Sequence, residues 1–557
     1  MRYFRLICGA LVLLGSAACT EPLVVDNSNQ PDRDRALGRP ADVEIFIANS
    51  YNTINNGTVG GQNAAGVTVN DQLQPGMLVM GLESYSGNAN FDMNVRGGIP
   101  RGPVDNSRGN SGQSIHERDW TVLHRAARSA AIGLARINAG IGFGSPPRDE
   151  RNKAFAWFVM GLGVGNLALV YDSVTQIRWD DPPDQSSFVL LHYSAAMALG
   201  LEYLDSAIAV AQAAPAGADG FPLPATWLNG SAAGFAGGTV SAANFIAFVR
   251  SYKARLRASV ARNPTARAAV DWNAVMADVQ AGITRDYMLN GAPASGWNIA
   301  WPLQHYLFQS WHQMWSYMLG MADGSGAYDA WLAAPLASKT PFLIQTLDRR
   351  FPAGADRPTQ NTNSPALPPA GQYFRNRAPG QDVVTANTLA NSYYDFYRFQ
   401  SFFNATRIGP YPTMTRAEMN GLLAEAAIRT GQWALAAQYI DSSRVRSGLP
   451  SVAGITDLTT PVPGGVSCVP RVPQPPTFTS AGCGNLLEAM KWEYRMETAY
   501  TGYGMWYFAG RGWGDLPEFT PLHHPVPYQE LDVRSQALYN LGGPGGVDGA
   551  PRGTYGL

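Results

Sequence analysis

The sequence predicts an all-α fold in which helical hairpins form a scaffold and long irregular loops pack on it. Three observations support this prediction. Apolar residues recur at helical spacing in many segments, and a complete helical hairpin occupies residues 415–448. The 59 glycines and 39 prolines collect largely between the helical segments, as expected for long connecting loops. A hairpin cannot bury its apolar face alone, so the chain should contain several.

The hairpin at 415–448 has clear helix boundaries. Thr415 and Glu418 form a capping-box pattern at the start of the first helix. Gly431 ends this helix, and Gly448 with the proline two residues later ends the second. The buried face of the first helix consists of Met419, Leu422, Leu423, Ala426 and Ala427. This pattern is typical of a tetratricopeptide-like unit.

Further helices are predicted along the rest of the chain. Asp271 is a suitable N-cap for one of them. In order, the helical segments are 41–54, 115–139, 154–170, 186–213, 241–262 and 271–286. Residues 55–112 are rich in glycine and asparagine and are predicted to form an extended surface loop. Three other irregular insertions are predicted at 215–239, 351–382 and 451–484.

The segment 154–170 is apolar enough to raise the alternative of a membrane span. Asn166, three glycines at 161, 163 and 165, and the lack of a basic flank argue against a span. A helix that is apolar on all sides is also typical of the centre of a large helical protein. We therefore expect this helix in the buried core.

The N-terminus has the pattern of a secretory signal peptide. Arg2 and Arg5 precede the apolar run Leu6–Leu14, and small residues lead to Cys19. This pattern resembles a bacterial lipoprotein signal, which implies lipidation of Cys19. The alternative is an ordinary signal peptide cleaved near residue 18. We assign residues 1–18 to the signal, 19–40 to a polar tether and 41–557 to a single helical domain.

Charge and cysteine content indicate which partners and which cysteine chemistry to expect. The net charge is −1 and no basic cluster is present, which argues against nucleic acid as a partner. In an exported chain, Cys468 and Cys483 are expected to form a disulfide, with a stabilisation of about 3 kcal/mol. A metal site at these cysteines would lack nearby histidines. No metal and no cofactor are therefore predicted.

Sequence signatures of catalysis are missing. The chain has no HExxH, Walker or CxxC motif, and no GxSxG after a plausible strand. His523 and His524 are adjacent, but we expect them to be exposed turn residues. Glu493 and Glu497 suggest an acid/base pair for glycoside hydrolysis. Because Arg495 lies between them, a salt-bridged structural role is expected instead, and the chain is predicted not to be an enzyme.

Two C-terminal segments resemble the SusD/RagB family of nutrient-binding lipoproteins. The first is 415–450, with LLAEAAIRTGQW and the ending SSRVRSGLP. The second is 486–530, and the family segment as a whole spans about 410–535. Residues that match the family pattern in the second segment are Glu493, Arg495, Glu497, Gly502, Trp506, Arg511, Trp513, Pro525, Pro527 and Glu530. Thr501, Tyr503 and Gly510 depart from it.

The resemblance implies a SusD-like α/α superhelix and a function. Proteins of this family are outer-membrane lipoproteins, exposed at the cell surface, that capture oligosaccharide or another nutrient. They act as the lid of a SusC-like TonB-dependent transporter and are not enzymes. The alternatives are a helical carbohydrate-active enzyme and a helical-repeat scaffold that binds only proteins. A peptide ligand is a further alternative to a glycan.

Sugar recognition requires an aromatic ring that stacks on the pyranose and polar groups around it, placed on loops. Two segments have this composition, 296–317 and 80–108. The candidate ligand-binding residues are Trp297, Trp301, Tyr306 and Trp311 in one segment, and Tyr85, Phe91 and Arg96 in the other. For Trp311, core packing beside Trp315 on one helix face is the alternative. Trp506 and Trp513 are expected to be structural.

Overall fold

The computed structural model describes residues 36–60, 73–86, 92–110, 114–181, 189–214, 220–299, 313–382 and 384–557. The predicted signal peptide, Cys19 and nearly all of the predicted tether lie outside the described residues. So do four of the candidate ligand-binding residues: Phe91, Trp301, Tyr306 and Trp311.

The described residues form an all-α fold, as predicted. In the N-terminal half the helices are α1 Pro40–Ala48, α2 Ser50–Asn55, α3 Leu73–Met80, α4 Met93–Gly97, α5 Ser114–Asn138, α6 Pro146–Val170, α7 Tyr193–Ala213, α8 Ala225–Leu228, α9 Ala242–Ser259, α10 Pro264–Ala268 and α11 Trp272–Gln280. In the C-terminal half they are α12 Ser316–Leu319, α13 Ala327–Ala333, α14 Arg357–Thr362, α15 Gln400–Asn404, α16 Arg416–Arg429, α17 Trp433–Arg444, α18 Leu486–Thr498, α19 Met505–Trp513 and α20 Tyr528–Val533.

The connections between these helices contain short strands. They are β1 Ser173–Thr175, β2 Leu190–His192, β3 Leu223–Pro224, β4 Thr239–Val240, β5 Tyr287–Gly291, β6 Phe374–Asn376, β7 Tyr394–Phe396, β8 Gly409–Met414, β9 Arg471–Pro473 and β10 Ala481–Cys483. Within the described residues each sheet is a single antiparallel pair: β1–β2, β3–β4, β5–β8, β6–β7 and β9–β10. The longest pair, β5–β8, joins the end of the N-terminal helices to the start of α16.

Helix α6 lies at the centre of the core between α5 and α7. Its glycines allow the neighbouring helices to approach closely. A Cβ on Gly161 would lie 2.8 Å from the carbonyl oxygen of Gly200 on α7, and one on Gly163 would lie 2.8 Å from the Cβ of Ala127 on α5. In the described residues, α6 and α7 are long and apolar enough to span a membrane. The apolar window of α6 is 89% buried, which confirms the prediction of a core helix.

The predicted hairpin is present as α16 and α17, and its boundaries follow the expected chemistry. The Thr415 hydroxyl accepts a hydrogen bond from the Glu418 backbone N–H at 3.0 Å. Gly431 and Gly448 have positive φ angles of 73° and 85°, which a glycine adopts without strain. The Glu418 carboxylate is paired with Arg255 of α9 at 2.6 Å. Half of the capping box is therefore formed, and Glu418 also ties α16 to α9.

Helix α18 carries buried charged residues on more than one side. Glu493 is 4% exposed and accepts hydrogen bonds from Arg350 at 3.0 Å and from the Ser443 hydroxyl at 2.8 Å. Glu497 is 2% exposed and accepts from the Tyr373 hydroxyl at 2.9 Å. Both glutamates therefore have the salt-bridged or hydrogen-bonded structural role that the sequence predicted.

The partner of these glutamates is not Arg495. Arg495 is paired with Asp515 at 2.6 Å on a different side of α18. Residues two apart on a helix lie roughly 200° apart, so Arg495 cannot face the same neighbours as Glu493 or Glu497. Arg350, which is itself held by Asp348 at 2.7 Å, occupies the position between the two glutamates.

One predicted surface loop is wrong. Helix α3 lies inside 55–112, where a surface loop was predicted, and every residue of α3 is buried. Its sequence has no polar face, and Pro75 and Gly76 hide the helical pattern.

The predicted exposure of His523 and His524 is also wrong. They are 5% and 0% accessible, and His523 Nε2 lies 3.2 Å from the Asp548 carboxylate.

The insertion 451–484 is an ordered part of the fold. Cys468 and Cys483 are joined by a disulfide, and β9 pairs with β10. Asp329 of α13 accepts hydrogen bonds from Arg471 and from the Ala481 backbone N–H, each at 2.6 Å. These contacts anchor the insertion to the helical body.

Two carboxyl groups are buried without an ion-pair partner among the described residues. Glu83 follows α3, Asp119 lies on α5, and both contact the C-terminal region. Glu83 is 2% exposed and accepts from the Tyr500 backbone N–H at 2.6 Å. Burial raises its pKa to about 8. Asp119 is 1% exposed and accepts from the Tyr503 hydroxyl and the Leu73 backbone N–H. Burial raises its pKa to about 7. The folded state therefore favours the neutral form of both groups.

These pKa values predict that stability falls as the pH rises. The folded pKa of Glu83 lies above its ordinary value of 4.5, so the folded state holds a proton that the unfolded state has lost. Each such group lowers the free energy of unfolding by roughly 1.4 kcal/mol per pH unit within its window. We expect Glu83→Gln, which keeps an accepting oxygen but does not titrate, to flatten the decline between pH 5 and 8 in urea unfolding.

Asp457→Asn is the control for this experiment. Asp457 is exposed, and hydrogen bonds from the Thr460 and Thr459 backbone N–H groups and hydroxyls hold its pKa at about 2, below the window. This variant should leave the slope unchanged. An equal slope in Glu83→Gln and in the unmodified chain would contradict the prediction.

Candidate functional site

The two segments predicted to bind ligand meet in space. Tyr85 and Gln313 form an antiparallel bridge, with both backbone N–H···O distances at 2.8 Å. The Trp315 Nε1 group donates to the Ser84 carbonyl at 2.8 Å. Segments more than 200 residues apart in sequence are thereby fixed side by side.

Tyr85 supports this junction and does not present its ring to solvent. It is 4% exposed, and its ring packs edge-on against Trp315 with the centroids 5.3 Å apart. On another side the ring lies against Gly97, where an added Cβ would be 2.9 Å from it. Burial raises the pKa of its phenol, and Thr385 and Asn387 lie within hydrogen-bonding range of it. These contacts favour a packing role for Tyr85 over the predicted stacking role.

Arg96 lines a cleft of about 470 Å³ beside this junction. The cleft is formed by the end of α3, by α4 and by the loop that follows α4. Its lining residues are Met80, Asp92, Val95, Arg96, Arg101, Gly102, Pro103, Val104, Asp105, Ser107, Gly109, Asn110 and Pro521. A cleft of this size is typical of a small-molecule site.

Two arginines supply positive charge to the cleft. Arg101 is 1% exposed and donates to the Met80 carbonyl and the Thr520 hydroxyl, each at 3.2 Å, and to the Arg96 carbonyl. Among the described residues no carboxylate pairs with Arg101, and burial lowers its pKa to about 9. Arg96 is 8% exposed, and burial lowers its pKa while the charge of Asp92 acts in the opposite direction.

Acidic and amide groups balance this charge. The Asn110 amide donates to the Asp92 carboxylate at 2.9 Å and to the Asp105 carbonyl at 3.1 Å. The Asp105 carboxylate accepts from the Ser107 backbone N–H at 2.9 Å. The cleft thus presents hydrogen-bond donors and acceptors in close succession, which suits a ligand with many hydroxyl groups.

Trp297 packs against the N-terminal helices and does not line the cleft. It is partly buried, and its ring centroid is 6.1 Å from that of Tyr51 in α2. Its backbone pairs with Ala292, and Asn52 donates to the neighbouring Gly296 carbonyl at 3.1 Å. The described contacts of Trp297 are therefore with the N-terminal helices, not with the cleft.

Two buried amides next to residues 300–312 have unpaired polar atoms. Asn298 is 1% exposed, and its Nδ2 has no hydrogen-bond partner among the described residues. Gln313 is 0% exposed, and no described residue pairs with either polar atom of its side chain. Leaving such atoms unpaired costs about 1–3 kcal/mol each. Both side chains are almost fully buried, so we do not count them among the residues that a ligand in the cleft would contact.

Of the predicted residues, Arg96 lines the cleft. Arg101, Asp105 and Asn110 line the same cleft but were not among the predicted residues. All three are polar or charged side chains in or beside the glycine-rich segment 80–108, which was the available signal.

The other predicted residues are structural or unsuited to metal binding. Trp315 is 0% exposed and immediately precedes α12, and Trp506 and Trp513 are buried in or at the end of α19, as expected. Within the described ranges, no three His, Cys, Asp or Glu side chains are grouped closely enough to hold a metal ion.

Comparison with known proteins identifies the fold. No protein-family model matches the chain, and no curated protein sequence matches it. A SusD-like carbohydrate-binding protein from Bacteroides vulgatus superposes with a TM-score of 0.51 and 14% identity, covering 93% of this chain and 94% of that one. A SusD superfamily protein from Bacteroides thetaiotaomicron has a TM-score of 0.49 and 10% identity, with coverage of 90% and 94%. A laminarin-binding SusD-like protein has a TM-score of 0.48 and 13% identity, with coverage of 91% and 99%.

At these identities the likeness concerns the fold. The chain has the SusD-like fold over almost its whole length, as the C-terminal motifs predicted.

The packing role of Tyr85 predicts a difference between two substitutions. Tyr85→Ala should lower the free energy of unfolding by about 3–5 kcal/mol, because it removes a ring packed on Trp315 and Gly97. Tyr85→Phe keeps the ring and should cost about 1 kcal/mol through loss of the hydroxyl. Urea unfolding measures both. A Tyr85→Ala variant that is as stable as the unmodified chain but binds glycan weakly would show that the ring contacts ligand.

Proposed function

We propose that this chain is a SusD/RagB-type outer-membrane lipoprotein that captures oligosaccharide and delivers it to a SusC-like TonB-dependent transporter. The observation that carries the proposal is the meeting of the two predicted ligand-binding segments, at Tyr85 and Gln313, on a scaffold with the SusD-like fold. The structure with the TM-score of 0.51 is described as a carbohydrate-binding protein.

The cleft is chemically suited to a sugar. Asp92, Asp105 and Asn110 offer acceptors and a donor, and Arg96 adds a cation. Hydroxyl groups of a pyranose both donate and accept, so a lining with both kinds of group can satisfy them. We assign the stacking of the apolar sugar face to Phe91, Trp301, Tyr306 and Trp311.

We expect capture without catalysis, and the positions of the two C-terminal glutamates support this expectation. Glu493 and Glu497 are buried and held by Arg350 and Tyr373, so neither is placed to protonate a glycosidic oxygen. A helical carbohydrate-active enzyme therefore lacks its candidate pair. Any depolymerisation of a glycan by the purified protein would favour that alternative.

Delivery would depend on a lid motion. A lid closes on binding only if the ligand has a higher affinity for the closed arrangement than for the open one. We propose that the transporter contributes this difference by covering the cleft. The alternative of a scaffold that binds only proteins would leave the cleft unused, and titration with glycans would then show no heat.

The disulfide supports export. Disulfides persist in oxidising compartments and are rare in the cytosol, so the Cys468–Cys483 bond fits a protein exposed outside the inner membrane. Together with the lipoprotein-like signal, it supports a location at the cell surface, anchored through Cys19.

Glycan binding is tested with a panel of oligosaccharides by isothermal titration. We expect Trp301→Ala to weaken binding of the best ligand by about 5- to 150-fold, since stacking of a ring on one aromatic side chain is worth roughly 1–3 kcal/mol. Trp433→Ala is the control, because Trp433 is a partly exposed tryptophan of α17. Unchanged affinity in Trp301→Ala would place the stacking residue elsewhere, and no binding of any glycan would contradict the proposal.

Membrane anchoring is tested by fractionation. Cys19→Ala removes the acceptor for lipidation, so the protein should move from the membrane to the soluble fraction. Cell fractionation followed by immunoblotting measures the distribution, with Cys483→Ala as a control that keeps Cys19. Retention of the Cys19→Ala variant in the outer membrane would contradict lipid anchoring at this residue.

A further inference from the structure

A second cleft, of about 340 Å³, lies between the first half of α5, the strand β1 and the end of α20. Its lining residues are Trp120, Thr121, His124, Arg125, Arg128, Thr175, Ile177, Glu530 and Arg534. None of them lines the first cleft. The second cleft is therefore a separate candidate for a bound ligand.

His124 presents a bare hydrogen-bond acceptor in this cleft. Its Nδ1 lies 2.8 Å from the Trp120 carbonyl oxygen. A carbonyl only accepts, so Nδ1 carries the proton and Nε2 carries a lone pair. Nε2 is buried and has no hydrogen-bond partner in the part of the chain that the structure describes. Burial and the positive charge of Arg534 lower the pKa of His124 to about 4, so the ring stays neutral at neutral pH.

The imidazole is held in position by its neighbours. Its ring centroid lies 4.2 Å from that of Trp120, and Trp120 packs edge-on against Tyr171 at 4.9 Å. Trp120 is only 4% exposed, so it serves as a rigid support for His124 and not as an open stacking surface. The acceptor is thus fixed before any ligand arrives.

Positive charge surrounds this acceptor. Three arginines and one glutamate line the cleft. Arg534 pairs with Glu530 at 2.6 Å, and Arg128 lies 3.4 Å from Asp181. Arg125, next to His124 on α5, is exposed and makes no hydrogen bond or ion pair with a described residue. Its guanidinium is therefore available at the mouth of the cleft.

We propose that this second cleft binds a hydroxylated carboxylate, such as a uronic acid unit, with Arg125 on the carboxylate and His124 Nε2 on a neighbouring hydroxyl. A guanidinium binds a carboxylate through two parallel N–H···O bonds. A neutral imidazole lone pair accepts from a hydroxyl and repels a carboxylate, so the two side chains together fix the orientation. The apolar carbons of the ligand lie against Ile177 and the rim of Trp120.

This inference does not depend on glycan capture at the first cleft. The same chemistry occurs at the acidic end of an oligosaccharide and in a free sugar acid. Two probes separate these sources: galacturonate monomer and a galacturonate trimer. Galactose, which has the same ring without the carboxylate, is the neutral comparison.

Isothermal titration at pH 7 tests the proposal on the full exported chain. We expect galacturonate to bind at least tenfold more tightly than galactose, because a charge-assisted pair is worth roughly 1.5–3 kcal/mol. Arg125→Gln should remove that advantage, and His124→Phe should weaken the acid by about fivefold through loss of one neutral hydrogen bond. Arg349→Gln, a change at an exposed arginine far from the cleft in sequence, should leave the affinity unchanged.

Further measurements keep the proposal falsifiable if His124→Phe fails to fold. Arg125 is exposed, so Arg125→Gln should keep the unfolding transition of the unmodified chain. Nitrogen NMR of the labelled histidines should show the His124 Nε2 resonance shift on addition of galacturonate but not of galactose. Trp301→Ala should leave galacturonate binding unchanged, which distinguishes this cleft from the proposed glycan site.

The outcomes separate clearly. Equal affinity for monomer and trimer indicates a free sugar acid, and tighter binding of the trimer indicates the end of a chain; both support the proposal. Equal affinity for galacturonate and galactose would overturn it. So would a loss in Arg349→Gln that equals the loss in Arg125→Gln, or the absence of galacturonate binding by the folded chain.

Discussion

The pairing of buried charges along α18 is the constraint on which the C-terminal half of the structure depends. Lys491, Glu493, Arg495 and Glu497 are each less than 5% exposed. Removing a charge from water costs several kcal/mol unless a partner compensates it, and removing one partner of a buried pair costs about 3–5 kcal/mol. The partners come from distant segments: Arg350 lies 143 residues from Glu493, and Asp515 lies 20 residues from Arg495. The loops that carry these partners are therefore held in fixed positions against the helix.

The same device ties the two halves of the scaffold together. Arg255 of α9 pairs with Glu418, and Arg267 of α10 pairs with Glu425, in both cases at 2.6 Å and with both partners largely or wholly buried. The hairpin α16–α17 thus receives two charged connections from the N-terminal helices in addition to apolar packing. Because the helices are fixed relative to one another, the ends of the long loops between them are also held in position. The first cleft lies on such loops, between α4 and the residues near Pro521.

Local features of the fold could be predicted from the sequence, and long-range features could not. Helix caps and apolar spacing act within a few residues, so the hairpin, the core helix α6 and the cap at Asp271 were correct. Helix α3 was missed because it is buried on all sides and so has no polar face to set a period. The prediction that Arg495 pairs with Glu493 and Glu497 was wrong. Their partner, Arg350, lies in a loop that is distant in sequence, and sequence spacing does not reveal such a contact. For the candidate site, composition selected two segments that the structure brings together at Tyr85 and Gln313. The burial of Tyr85 depends on contacts with Trp315 and Gly97, which sequence spacing does not reveal.

The two clefts differ in how their arginines are used, and this difference sets what each can recognise. Arg101 in the first cleft donates to carbonyl and hydroxyl oxygens of the protein, so it contributes a fixed positive potential and few free donors. Asp92 and Asp105 lie in the same cleft, so a ligand there meets both signs of charge at short range. Such a site favours an uncharged polyhydroxyl ligand. A charged ligand would be attracted by the arginines or the aspartates and repelled by the other pair. Arg125 in the second cleft makes no hydrogen bond with a described residue, so its N–H groups can donate to a ligand. Its neighbour His124 is neutral. A chain with both sites would bind the neutral part of a glycan at one and its acidic substituent at the other.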